Sequence, residues 1–125
     1  EEAGGAAAVA TVGFCYGGML SAAMASRRAR HLGAAVAYYP SMAAQLLVKD
    51  QPHIPLLVHH GALDPRVTPD DGAALAERWP EAEFRSYPAG HGFNCDLRDD
   101  HHPEASALAW DRTIAFLTTH LEQEA

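Results

Sequence analysis

The chain has 125 residues, a formal charge of -7, 48% hydrophobic and 20% charged residues, which suits a single globular domain over 1–125 with one core. The acidic balance argues against nucleic acid or an anionic membrane surface as partner, because both require a concentrated positive field. No apolar run approaches the roughly 20 residues of a membrane span, and the Ala-rich start carries two Glu instead of a basic signal flank, so a cytoplasmic protein is expected.

Residues 8–14, "AVATVGF", form a short apolar strand, followed by Gly17, Gly18 and a helical run to about Ala29 with Met19, Leu20, Ala23 and Met24 on its apolar face. Gly33 is placed to close that helix, and Arg27, Arg28 and Arg30 complement its C-terminal dipole. A second buried strand covers 34–39 and stops at Pro40, with a short helix or irregular excursion over 41–50. "LLVHH" at 56–60 is a third strand. Thr68 then offers an N-cap, with Pro69 at the first helical position and Asp70 and Asp71 in the first turn, predicting a helix over 69–79. "AEFRSYP" is a fourth, less apolar strand that suits a sheet edge. Pro103 starts a final helix in which Ala107, Trp110, Ile114, Leu117 and Leu121 form a core-packing stripe.

This alternation of strands and helices implies a mainly parallel sheet between two helical layers, a three-layer α/β/α sandwich. In such sheets, ligands sit beyond the carboxyl ends of the strands. Cys15 follows the first strand, Asp64 lies four residues past the third and His91 four past the fourth, so all three belong to one rim. A thiol becomes a strong nucleophile once an imidazole takes its proton, and a carboxylate on the other ring nitrogen fixes the tautomer. Gly13-Phe14-Cys15-Tyr16-Gly17 is the nucleophile-elbow pattern with cysteine in the serine place. The flanking glycines are expected to relieve clashes in the sharp turn. The turn presents the thiol at a helix N-terminus, where the dipole favours thiolate and the Tyr16 N–H can donate to an oxyanion.

The stretches "VGFCYGG", "AVAYYP", "LLVHHGALDPRVTP", "YPAGHGFNC" and "ALAWDRTIAFL" resemble, in order, the dienelactone hydrolase family, the cysteine-nucleophile branch of the α/β-hydrolase fold. The resemblance implies Cys15 as nucleophile, Asp64 as orienting acid, His91 as general base and acid, and the Tyr16 amide as one oxyanion donor. It implies hydrolysis of a small-molecule ester or lactone through an acyl-cysteine, with no metal or organic cofactor. Tyr39 and Phe93 are the candidate substrate contacts. Family members carry an arginine shortly after the histidine that holds a substrate carboxylate, and Cys95 stands about there in this chain.

The resemblance also implies a partial α/β-hydrolase fold, its C-terminal half only, because about four strands precede the elbow strand in the family. The missing strands would supply the second oxyanion N–H, and the strand at 8–14 would be an exposed edge that pairs with a missing N-terminal half or a partner chain. Three alternatives stand beside the hydrolase: a non-catalytic module that pairs through this edge, a thiol redox protein using Cys15 and Cys95, and a metal site at His59-His60 or His101-His102. Neighbouring residues of a strand face opposite sides, which weighs against His59 and His60 sharing an ion. His101 and His102 suit a loop that caps the last helix.

Overall fold

The computed structural model describes residues 9–27, 31–99 and 101–122. Four parallel strands, β1 (Val9–Phe14), β2 (Leu32–Tyr38), β3 (Leu56–Gly61) and β4 (Glu83–Tyr87), lie side by side in chain order. Between them run α1 (Tyr16–Ala25), the single turn α2 (Ala43–Leu46) and α3 (Pro69–Arg78), and α4 (Pro103–Glu122) closes the chain. The strictly alternating order makes every neighbouring pair parallel, since each crossover returns the chain to the same end of the sheet.

Strand alternation builds two cores. Ala35, Ala37, Leu56 and Val58 face α1, α2 and α3, meeting Met19, Ala22, Ala25, Leu47, Leu75 and Trp79. Ala34, Val36, Tyr38 and Leu57 face the other way, toward Ala105, Ala109 and Phe116 of α4. Both faces of β2 and β3 are therefore covered, which is why these strands read as nearly continuous apolar runs. The result is a three-layer sandwich. β4, with Arg85 and Ser86 exposed, is one edge, as its composition suggests. β1 has β2 as its one strand neighbour among the described residues, and Val9, Val12 and Phe14 stay exposed along it.

α3 begins where its capping residues specify: Thr68 Oγ1 accepts from the Asp71 N–H at 3.1 Å, and Asp71 Oδ2 accepts from the Thr68 N–H at 3.3 Å. α4 begins at Pro103, and the preceding His102 accepts the Ala105 N–H on its Nδ1 at 3.0 Å. His59 and His60 face opposite sides of the sheet: His59 bonds Tyr87 and Thr113, and His60 bonds the Val67 carbonyl.

Several local expectations are corrected. α1 ends at Ala25 instead of Ala29, and its buried face is Gly18, Met19, Ser21, Ala22 and Ala25, leaving Leu20 and Met24 exposed. Gly33 lies inside β2, and the left-handed position before that strand is taken by His31 at φ 70°. Arg28, Arg30 and the first eight residues lie outside the described residues. In α4 the buried stripe is Ala105, Ala109, Thr113 and Phe116, while Ala107, Trp110 and Ile114 are exposed and Leu117 and Leu121 are half-buried. Thr113 is drawn inward because its hydroxyl satisfies His59 Nε2 at 2.8 Å and meets Tyr38 OH at 3.0 Å. That bonding makes a polar residue a core residue and turns the helix accordingly.

Candidate active site

The site begins at the end of β1. Cys15 has φ 61° and ψ -122°, a strained conformation for a residue with a side chain, and it stands immediately before α1. Its N–H donates to the Tyr38 carbonyl at 3.0 Å, and its carbonyl accepts from Gly18, Met19 and Ser41. Gly13 and Gly18 make this geometry possible. A Cβ on Gly13 would stand 2.0 Å from the Gly17 carbonyl oxygen, and one on Gly18 would stand 2.6 Å from that of Tyr38. The elbow pattern assigns the second spatial demand to Gly17, but among the described residues nothing lies within 4 Å of where its Cβ would be. The requirement falls on Gly18, because that residue faces the turn after β2.

Two loops beyond β3 and β4 bring the other groups. The N–H groups of Ala62 and Leu63 donate to the carbonyls of Tyr87 and Ala89, stitching the acid loop to the histidine loop. Asp64 is buried, and its Oδ1 accepts from the N–H groups of Arg66 and Val67 at 2.7 and 2.9 Å. Its Oδ2 lies 2.7 Å from His91 Nδ1. A carboxylate only accepts, so Nδ1 carries a proton, and Nε2 faces Cys15 Sγ, 3.1 Å away, where it can take the thiol proton. The structure thus brings Cys15, His91 and Asp64 into one hydrogen-bonded chain.

The electrostatics follow from this arrangement. Burial pushes the Cys15 thiol up, but hydrogen bonds to Ser41 and His91, the His91 charge and the Tyr16 N–H together hold it below its ordinary value. Burial likewise pushes Asp64 up, and the His91 and backbone hydrogen bonds more than reverse it. The bond to Asp64 raises His91 above the usual imidazole range against the opposing effect of burial. All three shifts favour an imidazolium beside a thiolate.

Tyr16 puts its backbone N–H at the head of α1, and its ring is exposed. Tyr39 packs against the site, with its ring centroid 5.0 Å from that of His91, and burial pushes its phenol up to about 12. Phe93 has no exposed surface. It packs edge-on to Tyr39 at 5.2 Å and against Tyr38 and Tyr87, in the cluster against which Cys15 also packs. Cys95 is a free thiol, as is Cys15. Sequence reasoning missed Ser41, whose hydroxyl lies 3.2 Å from Cys15 Sγ and 3.5 Å from His91 Nε2. Its signal was a small hydroxyl residue just past the second strand, on the same rim.

A cavity of about 660 Å³ lies at the opposite end of the sheet, lined among others by His53, Leu56, Trp79, Glu83, Phe116 and His120. It shares no residue with the thiol chain, and no Cys, Ser, Thr or Lys is among its lining residues, whereas the rim gathers a thiol, an imidazole and a carboxylate. Among the described residues, no group of three or more His, Cys, Asp or Glu is gathered as a metal site would need, and no helix is long and apolar enough to cross a membrane.

The description of the dienelactone hydrolase family matches residues 2–121. Over 126 residues the chain is 30% identical to a Yersinia pestis protein assigned as a carboxymethylenebutenolidase, covering 90% of this chain and 47% of that protein. It is 29% identical over 126 residues to a Bradyrhizobium protein assigned as a 2-oxo-3-(5-oxofuran-2-ylidene)propanoate lactonase, covering 88% and 50%. A crystal structure of a Klebsiella pneumoniae protein assigned as a dienelactone hydrolase superposes with a TM-score of 0.77 at 28% identity, covering 89% and 52%. The chain spans about half the length of the curated relatives it matches.

Proposed function

Because this chain belongs to the dienelactone hydrolase family, we propose that it carries the nucleophile, base and acid of a hydrolase that cleaves a small-molecule ester or lactone through an acyl-cysteine. The observation that carries this reading is the continuous chain Cys15 Sγ, His91 Nε2 and Nδ1, and Asp64 Oδ2, with contacts of 3.1 and 2.7 Å. Sulfur attacks the acyl carbon while its proton passes to Nε2. The carbonyl oxygen, now anionic, accepts from the Tyr16 N–H at the positive end of α1. The intermediate collapses, the alkoxide leaves with the proton held on Nε2, and the acyl group remains on sulfur. Water then gives a proton to Nε2 and attacks the thioester, releasing acid and restoring the thiol. Asp64 keeps Nδ1 protonated throughout. Nucleophile, proton carrier and one oxyanion donor all come from the polypeptide, so these steps call for no metal or organic cofactor.

Tyr39 forms the wall against which the acyl group rests in this reading, with Phe93 as its support. A reducing compartment such as the cytoplasm suits a nucleophile that must remain a free thiol. The second oxyanion donor comes from a segment that pairs along β1, either a preceding part of a longer chain or a partner chain.

A burst of p-nitrophenol from p-nitrophenyl acetate, stoichiometric with protein, is the expected result for the whole protein. Cys15→Ala should abolish it, and mass spectrometry of the quenched burst should show an acetyl group on Cys15. A burst that persists in Cys15→Ala would overturn the assignment. The second reading is a non-catalytic module that pairs through its edge, and the exposure of Val9, Val12 and Phe14 along β1 favours it. It predicts no burst, together with a stable complex whose formation protects the β1 amides from hydrogen exchange.

A further inference from the structure

Ser41 meets Cys15 twice. Its N–H donates to the Cys15 carbonyl at 3.0 Å, and its hydroxyl lies 3.2 Å from Sγ, so main chain and side chain of the nucleophile are held by one residue. Ser41 Oγ, Cys15 Sγ and His91 Nε2 form a triangle with sides of 3.2, 3.1 and 3.5 Å. A serine hydroxyl has one proton to donate. Once Nε2 has taken the thiol proton, the nitrogen no longer accepts, and the thiolate is the acceptor left within reach.

We propose that Ser41 is a positioning residue for the nucleophile, its hydroxyl donating to Cys15 Sγ so that the thiolate forms readily and stays aligned with His91. The proposal rests on the reading of Cys15 as the nucleophile. No redox change is involved: the thiol proton moves to Nε2, and Ser41 keeps its own. The contact is strongest while sulfur carries charge, because hydrogen bonds to ionised acceptors are stronger than those between neutral groups.

The backbone around Ser41 is built for this placement. Tyr39 at φ 34° and Met42 at φ 65° bracket Pro40 and Ser41, so two non-glycine residues hold the left-handed region within four positions. Such strain persists only where surrounding contacts over-determine it. Here the Tyr39 N–H donates to the His59 carbonyl at 2.7 Å, and the Cys15 N–H donates to the Tyr38 carbonyl at 3.0 Å. The missing Cβ of Gly18 lets the turn close onto the elbow, since a Cβ there would lie 3.2 Å from Pro40 Cα. The low position of the Cys15 thiol, with Ser41 foremost among the groups that lower it, agrees with the geometry.

The test is the pH dependence of iodoacetamide alkylation at Cys15 in the whole protein, in a Cys95→Ser background so that one thiol is followed. Ser41→Ala should raise the midpoint of the alkylation profile by about one pH unit, the size expected for losing a hydrogen bond to a charged group. Ser41→Thr keeps the hydroxyl and should restore the midpoint. Ser41→Gly, a second variant without it, should shift in the same direction as Ser41→Ala. The ester burst of Ser41→Ala should be slowed about tenfold near pH 6 and approach the parent rate near pH 9, where the thiol ionises unaided. An unmoved midpoint in Ser41→Ala and Ser41→Gly overturns the proposal, whether or not the burst survives. A moved midpoint in a protein that shows no Cys15-dependent burst supports the Ser41 contact and tells against the hydrolase reading instead.

Discussion

Alanine at Gly18 and alanine at Gly17 should act in opposite directions on stability, although the two glycines are adjacent on the first turn of α1. The Gly17 Cβ would enter open space, so Gly17→Ala exchanges a poor helix former for the best one at no steric cost and stabilises by up to about 0.5–1 kcal/mol. The Gly18 Cβ would lie 2.6 Å from the Tyr38 carbonyl oxygen and 3.2 Å from Pro40 Cα, both backbone atoms with no rotamer to yield. Ordinary contact requires that carbonyl to retreat by roughly 0.8 Å, which strains its bond from the Cys15 N–H. Overpacking of this kind costs about 1–3 kcal/mol, more than the helix gain returns. Urea denaturation of the two variants in the whole protein gives both signs directly. The same shift moves the elbow against His91, and a displacement near 1 Å at a reacting group lowers rates about a hundredfold. Equal stability of the two variants would refute the close-approach argument.

Asp64→Asn should lower the burst rate by about 10³–10⁴ with little change in fold, because an amide offers Nδ1 no fixed acceptor and the unproductive tautomer becomes available; stopped-flow release of nitrophenol measures it, and a loss under tenfold would contradict the tautomer role. His59 provides the pH prediction. Burial, followed by the charges of Arg112 and Arg85, lowers its folded pKa from 6.5 to about 3. The unfolded chain therefore takes up this proton first, and stability that is full above pH 6.5 falls as pH drops toward 3. The loss is about 3 kcal/mol at pH 4. In NMR titration the His59 ring should stay neutral down to pH 4; a midpoint near 6.5 would refute it.

The legibility of the site differs from residue to residue. Cys15, Asp64 and His91 were readable because parallel strands fix which loops share a rim, so a residue's distance past its strand specifies its neighbourhood. Ser41 shares that rim but has no distinctive chemistry, and its approach to sulfur depends on the turn formed by Tyr39 and Met42 with positive φ. Gly17 was credited with the role of Gly18 because the elbow pattern records spacing and not what each Cα faces. The stripe through Trp110 and Ile114 on α4 was read as core from its period. Period identifies an apolar face without saying what covers it, and the hydroxyl partners of Thr113 decide that the neighbouring face is the buried one.

By itself the amino-acid sequence determined the order and type of the elements, the parallel sheet, and the three groups at its carboxyl rim. These rest on local signals: apolar runs, a proline and threonine at a helix start, glycines at an elbow. The tertiary structure alone decided which atoms meet there. The 3.1 Å contact of thiol with imidazole, the tautomer set by Asp64, and the serine beside the sulfur are distances between segments up to 76 residues apart, and they exist only once the sheet has brought four loops together.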